Sequence, residues 1–182
     1  MENLFLEIAE EKMDKAIEAF SSLLTKVRTG RANPTMLDGI LVDYYGSPTP
    51  INQLASVSIQ EGKTIAIKPF DRNVVKDVER AINTSDLGLP VQNGGDILRV
   101  TVPALTEETR KGFCKDVDKM AEDAKVQIRN IRRDINEDVK KDKTIPEDIS
   151  KSYLEDIQKA TDKFIEKIET LAKDKQKEIM TL

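Results

Sequence analysis

The sequence predicts an α+β protein: a long three-helix bundle with a small α/β domain inserted into it. Three observations carry this. Apolar residues recur at three- and four-residue spacing in one segment near the N-terminus and in two more after residue 105. Between residues 31 and 104 the period drops to two, in short runs punctuated by Gly, Pro and Asn. Charged residues make up 34% and aromatics 4%, a balance that suits long solvated helices once the periodicity rules out disorder.

The first helix is expected over Glu2 to Arg28. Ala9, Met13, Ala16, Phe20, Leu23 and Val27 form its seam toward partner helices. Gly30 can take the left-handed position after the helix, and Pro34 follows soon after.

Residues 31–104 then read as a separate domain of four to six short strands and one helix. Ile40, Val42 and Tyr44 alternate, and Gly46, Pro48 and Pro50 are expected to end that strand. Val57 and Ile59 alternate before a turn at Glu61-Gly62-Lys63, and Ile65 and Ile67 follow it. Asp71 is placed to cap a short helix carrying Val75, Val78 and Ile82. Asn93-Gly94-Gly95-Asp96 is a turn before Leu98, Val100 and Val102.

The second long helix starts at Thr106, with Glu107 and Glu108 suited to the positive end of the helix dipole. Phe113, Val117, Met120, Ala124, Ile128, Ile131, Ile135 and Val139 hold its apolar face, along a rod of roughly 50 Å. A break falls at Asp142 to Pro146. The third helix follows with Ile149, Tyr153, Ile157, Ala160, Phe164, Ile168 and Leu171. Three such stripes can be buried only against one another, so residues 1–30 and 105–182 form one bundle. Phe20, Val117, Ile128, Ile131, Ile157, Phe164 and Ile168 are its expected core.

The chain passes between the two domains twice. Thr29, Gly30, Arg31 and Ala32 form one connection, and Val102, Pro103, Ala104 and Leu105 the other. Two short connections permit a hinge and restrict its direction.

Catalysis finds little support. There is no histidine, which removes histidine-based acid–base chemistry and metal sites. No phosphate-binding glycine loop is present. Cys114, beside Phe113, reads as an ordinary helix cysteine rather than an activated nucleophile. No catalytic residue, metal or cofactor is expected. One cysteine and an acidic N-terminus without a sustained apolar run point to a reducing, cytoplasmic setting without a signal peptide, and no segment approaches a membrane span.

The charge is unevenly placed. Residues 1–25 carry six acids and two bases, whereas residues 110–133 carry eight bases and four acids. On a helical wheel Lys111, Lys115, Lys125, Arg129, Arg132 and Arg133 cluster roughly 130° from the core stripe, as a ribbon along an exposed flank. Asp118, Glu122 and Asp134 lie nearby, so a salt-bridged surface helix is the more ordinary reading of charge alone. Three arginines within five residues also suit phosphate contact, because guanidinium binds phosphate bidentately. No aromatic residue interleaves with them, which favours the backbone of structured RNA over stacking on single strands.

Several stretches carry a specific resemblance. They are Lys26 to Pro34 (KVRTGRANP), Asp43 to Val57 (DYYGSPTPINQLASV), Pro69 to Asn73 (PFDRN), Ser85 to Pro90 (SDLGLP), Val102 to Lys111 (VPALTEETRK) and Gln127 to Asp134 (QIRNIRRD). Over essentially its whole length the chain resembles the ribosome recycling factor family. The resemblance implies an L-shaped monomer without enzymatic activity, a three-helix bundle with an inserted β/α/β domain on a hinge. It implies binding to the large ribosomal subunit and its ribosomal RNA after termination, and subunit splitting with elongation factor G and GTP. It also maps the family's RNA-contacting arginines onto Arg129 and Arg132, with Arg110 and Arg28 as helpers. Ala104 stands where the family often has proline, Thr109 where it often has arginine, and the stretch from Val139 to Ile145 is shorter than in many relatives. Two competing readings stay open: a helical adaptor that binds proteins through the acidic first helix, and an enzyme seated in residues 31–104.

Overall fold

The computed structural model describes residues 2–181; Met1 and Leu182, the outer ends of the expected bundle segments, lie outside the described residues. In chain order the elements are α1 (Leu4–Thr25), β1 (Leu41–Tyr44), β2 (Ser47–Pro50), α2 (Ile51–Leu54), β3 (Ala55–Gln60), β4 (Thr64–Pro69), α3 (Val75–Thr84), β5 (Val91–Asn93), β6 (Leu98–Thr101), α4 (Glu107–Lys141) and α5 (Glu147–Met180). The chain divides into two compact units: Met1–Val27 with Glu107–Leu182, and Arg28–Thr106.

In the first unit α1, α4 and α5 each pack on the other two. Asn3 starts α1 by accepting a hydrogen bond from the Leu6 amide at 3.0 Å. Phe20, Val117, Ile128, Ile157, Phe164 and Ile168 are all buried in this core, as their spacing predicts. Ile131 is the exception and is only half-buried. Along α1 the stripe runs Ala9, Met13, Phe20 and then Leu24, while the expected Leu23 is 47% exposed. A strict seven-residue repeat drifts around a straight helix, which hands the contact on to the next position. Thr161 is fully buried, and its hydroxyl donates to the Ile157 carbonyl at 2.7 Å, which satisfies it within its own helix.

The link from α4 to α5 is a tight turn. The Asp142 carboxylate accepts from the Thr144 amide at 2.9 Å and from its hydroxyl at 2.6 Å. Pro146 stands immediately before α5, where its missing N–H costs nothing.

The second unit holds a β1–β2 hairpin and a four-stranded antiparallel sheet in the order β3-β4-β6-β5. Val42, Ile65, Ile67, Val78, Ile82, Leu98 and Val100 belong to its core, which joins α3 to the strands. Six strands fall within the expected range; the four-residue α2 is an additional helix. Ser47–Pro50 also departs from expectation, because it forms a strand where prolines were expected to end one. Tyr45 and Gly46 have φ of 48° and 85°, so they form a two-residue hairpin turn. Pro48 and Pro50 pair with Asp43 and Leu41, alternating with the Tyr44–Ser47 pair that closes the hairpin. At those alternate positions a ladder bond is not needed from the missing N–H, and β2 is an edge strand.

Candidate nucleic-acid interface

α4 is 35 residues long, with Glu107 and Glu108 in its first turn and Lys140 and Lys141 in its last, as the helix dipole favours. One face buries Val117, Ala121, Ala124, Ile128, Ile135 and Val139. The flank beside it carries the arginines. Arg129 and Arg133, one helical turn apart, are exposed, and Arg132 is half-buried. None of the ion pairs among the described residues involves any of the three. Arg132 instead donates through Nη1 to Gln158 Oε1 on α5 at 3.0 Å, and Gln158 Nε2 donates to Asp162 Oδ1 at 2.9 Å. Three guanidiniums that carry no carboxylate partner repel one another, and a phosphate backbone relieves that repulsion.

Lys125 departs from the expected exposed ribbon. Its side chain is only 14% exposed, and Nζ lies 3.3 Å from Glu122 and 3.2 Å from Glu169 of α5. Burial pulls its pKa down, but the hydrogen bonds and charges of Glu169 and Glu122 outweigh burial and hold it above the ordinary lysine value. The ammonium is charged and compensated twice, so it ties α4 to α5 rather than presenting charge to solvent. Lys111 and Lys115 are exposed, and Lys111 pairs with Glu107 at 3.3 Å. Arg110 is half-buried, and its Nε is buried without a hydrogen-bond partner among the described residues.

Arg28 and the connecting residues belong to the second unit. Arg28 donates through Nη2 to the Leu87 carbonyl oxygen, which engages one edge of its guanidinium. Thr29 is buried, Arg31 exposed, and Gly30 adopts φ of +82°. The Ala32 amide donates to the Gly62 carbonyl at 2.9 Å and the Val102 amide to the Lys63 carbonyl at 2.8 Å. Both connections are therefore fastened to the β3–β4 turn at these two residues. Pro103 and Ala104 beyond Val102 are exposed, and Leu105 is half-buried.

Burial, and then the charge of Asp118, push the Cys114 thiol above its ordinary pKa, the opposite of an activated nucleophile. Among the described residues there is no group of three or more His, Cys, Asp or Glu able to hold a metal, and no helix is long and apolar enough to cross a membrane.

The family described as ribosome recycling factor matches residues 20–180. This chain belongs to the ribosome recycling factor family. Similar relatives are the ribosome-recycling factors of Halalkalibacterium halodurans, 53% identical over 94% of this chain and 95% of theirs, and of Streptococcus pyogenes, 47% identical over the full length of both. A solution structure of a ribosome recycling factor is 38% identical and superposes over the full length of both chains with a TM-score of 0.83. A second structure, 40% identical over 99% of this chain and 100% of that one with a TM-score of 0.63, depicts the T. thermophilus ribosome recycling factor and E. coli elongation factor G bound to the E. coli post-termination complex. Membership of the ribosome recycling factor family makes this a protein of ribosome recycling in protein biosynthesis.

In this family member the residues that sequence reasoning missed lie on α5. Gln158, backed by Asp162, engages Arg132, and Glu169 compensates Lys125. Gln176, also on α5, donates to the Cys114 carbonyl at 3.0 Å and to Asp118 at 2.7 Å. The only available signal was polar residues bordering the α5 core stripe, which does not identify partners on another helix.

Proposed function

We propose that the chain binds the post-termination ribosome through the RNA of the large subunit, using the α4 flank that carries Arg129, Arg132 and Arg133. With elongation factor G, whose GTP hydrolysis supplies the work, it separates the subunits for another round of synthesis. It acts as a cytoplasmic monomer and catalyses no reaction of its own. The observation that carries this reading is the set of three neighbouring arginines without an ion-pair partner among the described residues. Lys111 and Arg110 extend the contact toward the start of α4, and Arg28 is assigned a separate, helping contact of its own. Lys125 serves as a strut beneath the contact. The bundle is the RNA-binding part. Bending between the units is assigned to the two connections, Thr29–Ala32 and Val102–Leu105, with Gly30 at one crossing and Pro103 at the other.

Co-sedimentation with large ribosomal subunits at two salt concentrations tests the reading. Binding should weaken steeply with salt, and each phosphate contact removed by mutation should lower the log–log slope by roughly 0.7–0.9. Binding that is insensitive to salt, and unchanged in an Arg129→Ala/Arg132→Ala variant, would rule it out.

A further inference from the structure

We infer that Gln158 and Asp162 of α5 are positioning residues for Arg132, holding its guanidinium in place for ribosomal RNA without neutralising it. The inference rests on the proposed RNA contact of Arg132 and adds a mechanism for it. The chemistry of the chain Arg132–Gln158–Asp162 fixes its polarity. A guanidinium only donates and a carboxylate only accepts. The Gln158 amide must therefore turn Oε1 toward Arg132 Nη1, at 3.0 Å, and Nε2 toward Asp162 Oδ1, at 2.9 Å. Gln158 and Asp162 are four residues apart on one helix, the spacing at which such a pair faces itself.

The consequence is selective. Asp162 orients the amide, and the amide takes one of the five N–H donors of Arg132, while the carboxylate stays one residue removed from the guanidinium. Arg132 keeps its charge and its remaining donors. Lys125, on the same helix, meets Glu122 and Glu169 directly, at 3.3 and 3.2 Å, and is compensated. A neutral amide between a cation and a carboxylate is what a phosphate-binding arginine needs: restricted rotation with undiminished charge.

A double-mutant cycle on the full-length protein tests this, reading the Kd for isolated large ribosomal subunits and its salt slope. Gln158→Ala should raise Kd roughly threefold to tenfold, the worth of one ordering hydrogen bond, with the melting temperature and the salt slope unchanged. Asp162→Ala should act in the same direction, more weakly. Arg132→Ala should raise Kd and lower the slope, and in that background both α5 substitutions should become silent. A Gln158→Ala effect that persists undiminished in the Arg132→Ala background, or no effect in either, overturns the positioning role. An Arg132→Ala variant that binds like the parent overturns the RNA contact itself.

Discussion

Lys125 Nζ lies 3.2 Å from Glu169 Oε1, joining the middle of α4 to α5 and withdrawing one cation from an otherwise basic flank. Substituting Lys125 with alanine should therefore lower stability, through the lost ion pairs and the lost packing of the buried stem, by about 1 kcal/mol. A lower urea midpoint with unchanged m-value would show it. The salt slope of ribosome binding should not move. A slope lower by one contact would instead put Lys125 on a phosphate.

Phe164 is 5% exposed in the bundle core. Phe164→Ala should cost about 3–5 kcal/mol, because the lost burial is joined by a cavity that three packed helices cannot collapse into. Chemical denaturation checks it. A loss under 1 kcal/mol would mean that the core repacks, contrary to its close packing.

How much of this could be read from the sequence follows from the range of the interactions. The helical stripes are local and repeat, so Val117, Ile128, Ile157 and Ile168 were identifiable by spacing alone. The choice between Leu23 and Leu24 was not, since it depends on accumulated helix phase. The β2 prolines misled because their tolerance depends on pairing register rather than on composition. The arginine cluster was visible as a cluster. Its division from Lys125 was not, because Arg132 meets Gln158 across 26 residues and Glu169 reaches Lys125 from another helix.

Gly30 adopts φ of +82°, and a Cβ there would stand 3.5 Å from Leu105 Cγ, an ordinary contact. Gly30→Val thus meets backbone strain of about 1–3 kcal/mol rather than a clash. Gly39 has the same φ with nothing within 4 Å and serves as the control. Both valine variants should lose similar melting temperature, while only Gly30→Val should slow subunit splitting by light scattering, with binding retained. Equal splitting by the two would remove the hinge role.

Asp142 holds the α4–α5 turn, and the hydroxyl and amide hydrogen bonds of Thr144 keep its carboxyl below the ordinary 3.8. A folded-state pKa below the unfolded one adds stability at neutral pH that is lost as pH falls through the folded value. The melting-temperature gap between parent and Asp142→Ala should accordingly be open at pH 7 and narrow at pH values below 3.8. A gap that does not change with pH would mean that the carboxylate charge contributes nothing to the turn.

The proposed RNA contact rests most on Arg132 meeting phosphate. Arg132→Ala should change stability only on the order of 0.5 kcal/mol, and Arg132→Lys should restore binding in part, because it keeps the charge and loses the planar fork. Lys173, exposed on α5, provides the control. The direct measurement is the salt dependence of large-subunit binding for Arg132→Ala beside Lys173→Ala. A phosphate contact by Arg132 predicts weaker binding and a shallower slope, by roughly one ion, for the first alone. Parental affinity and slope in both variants would contradict it.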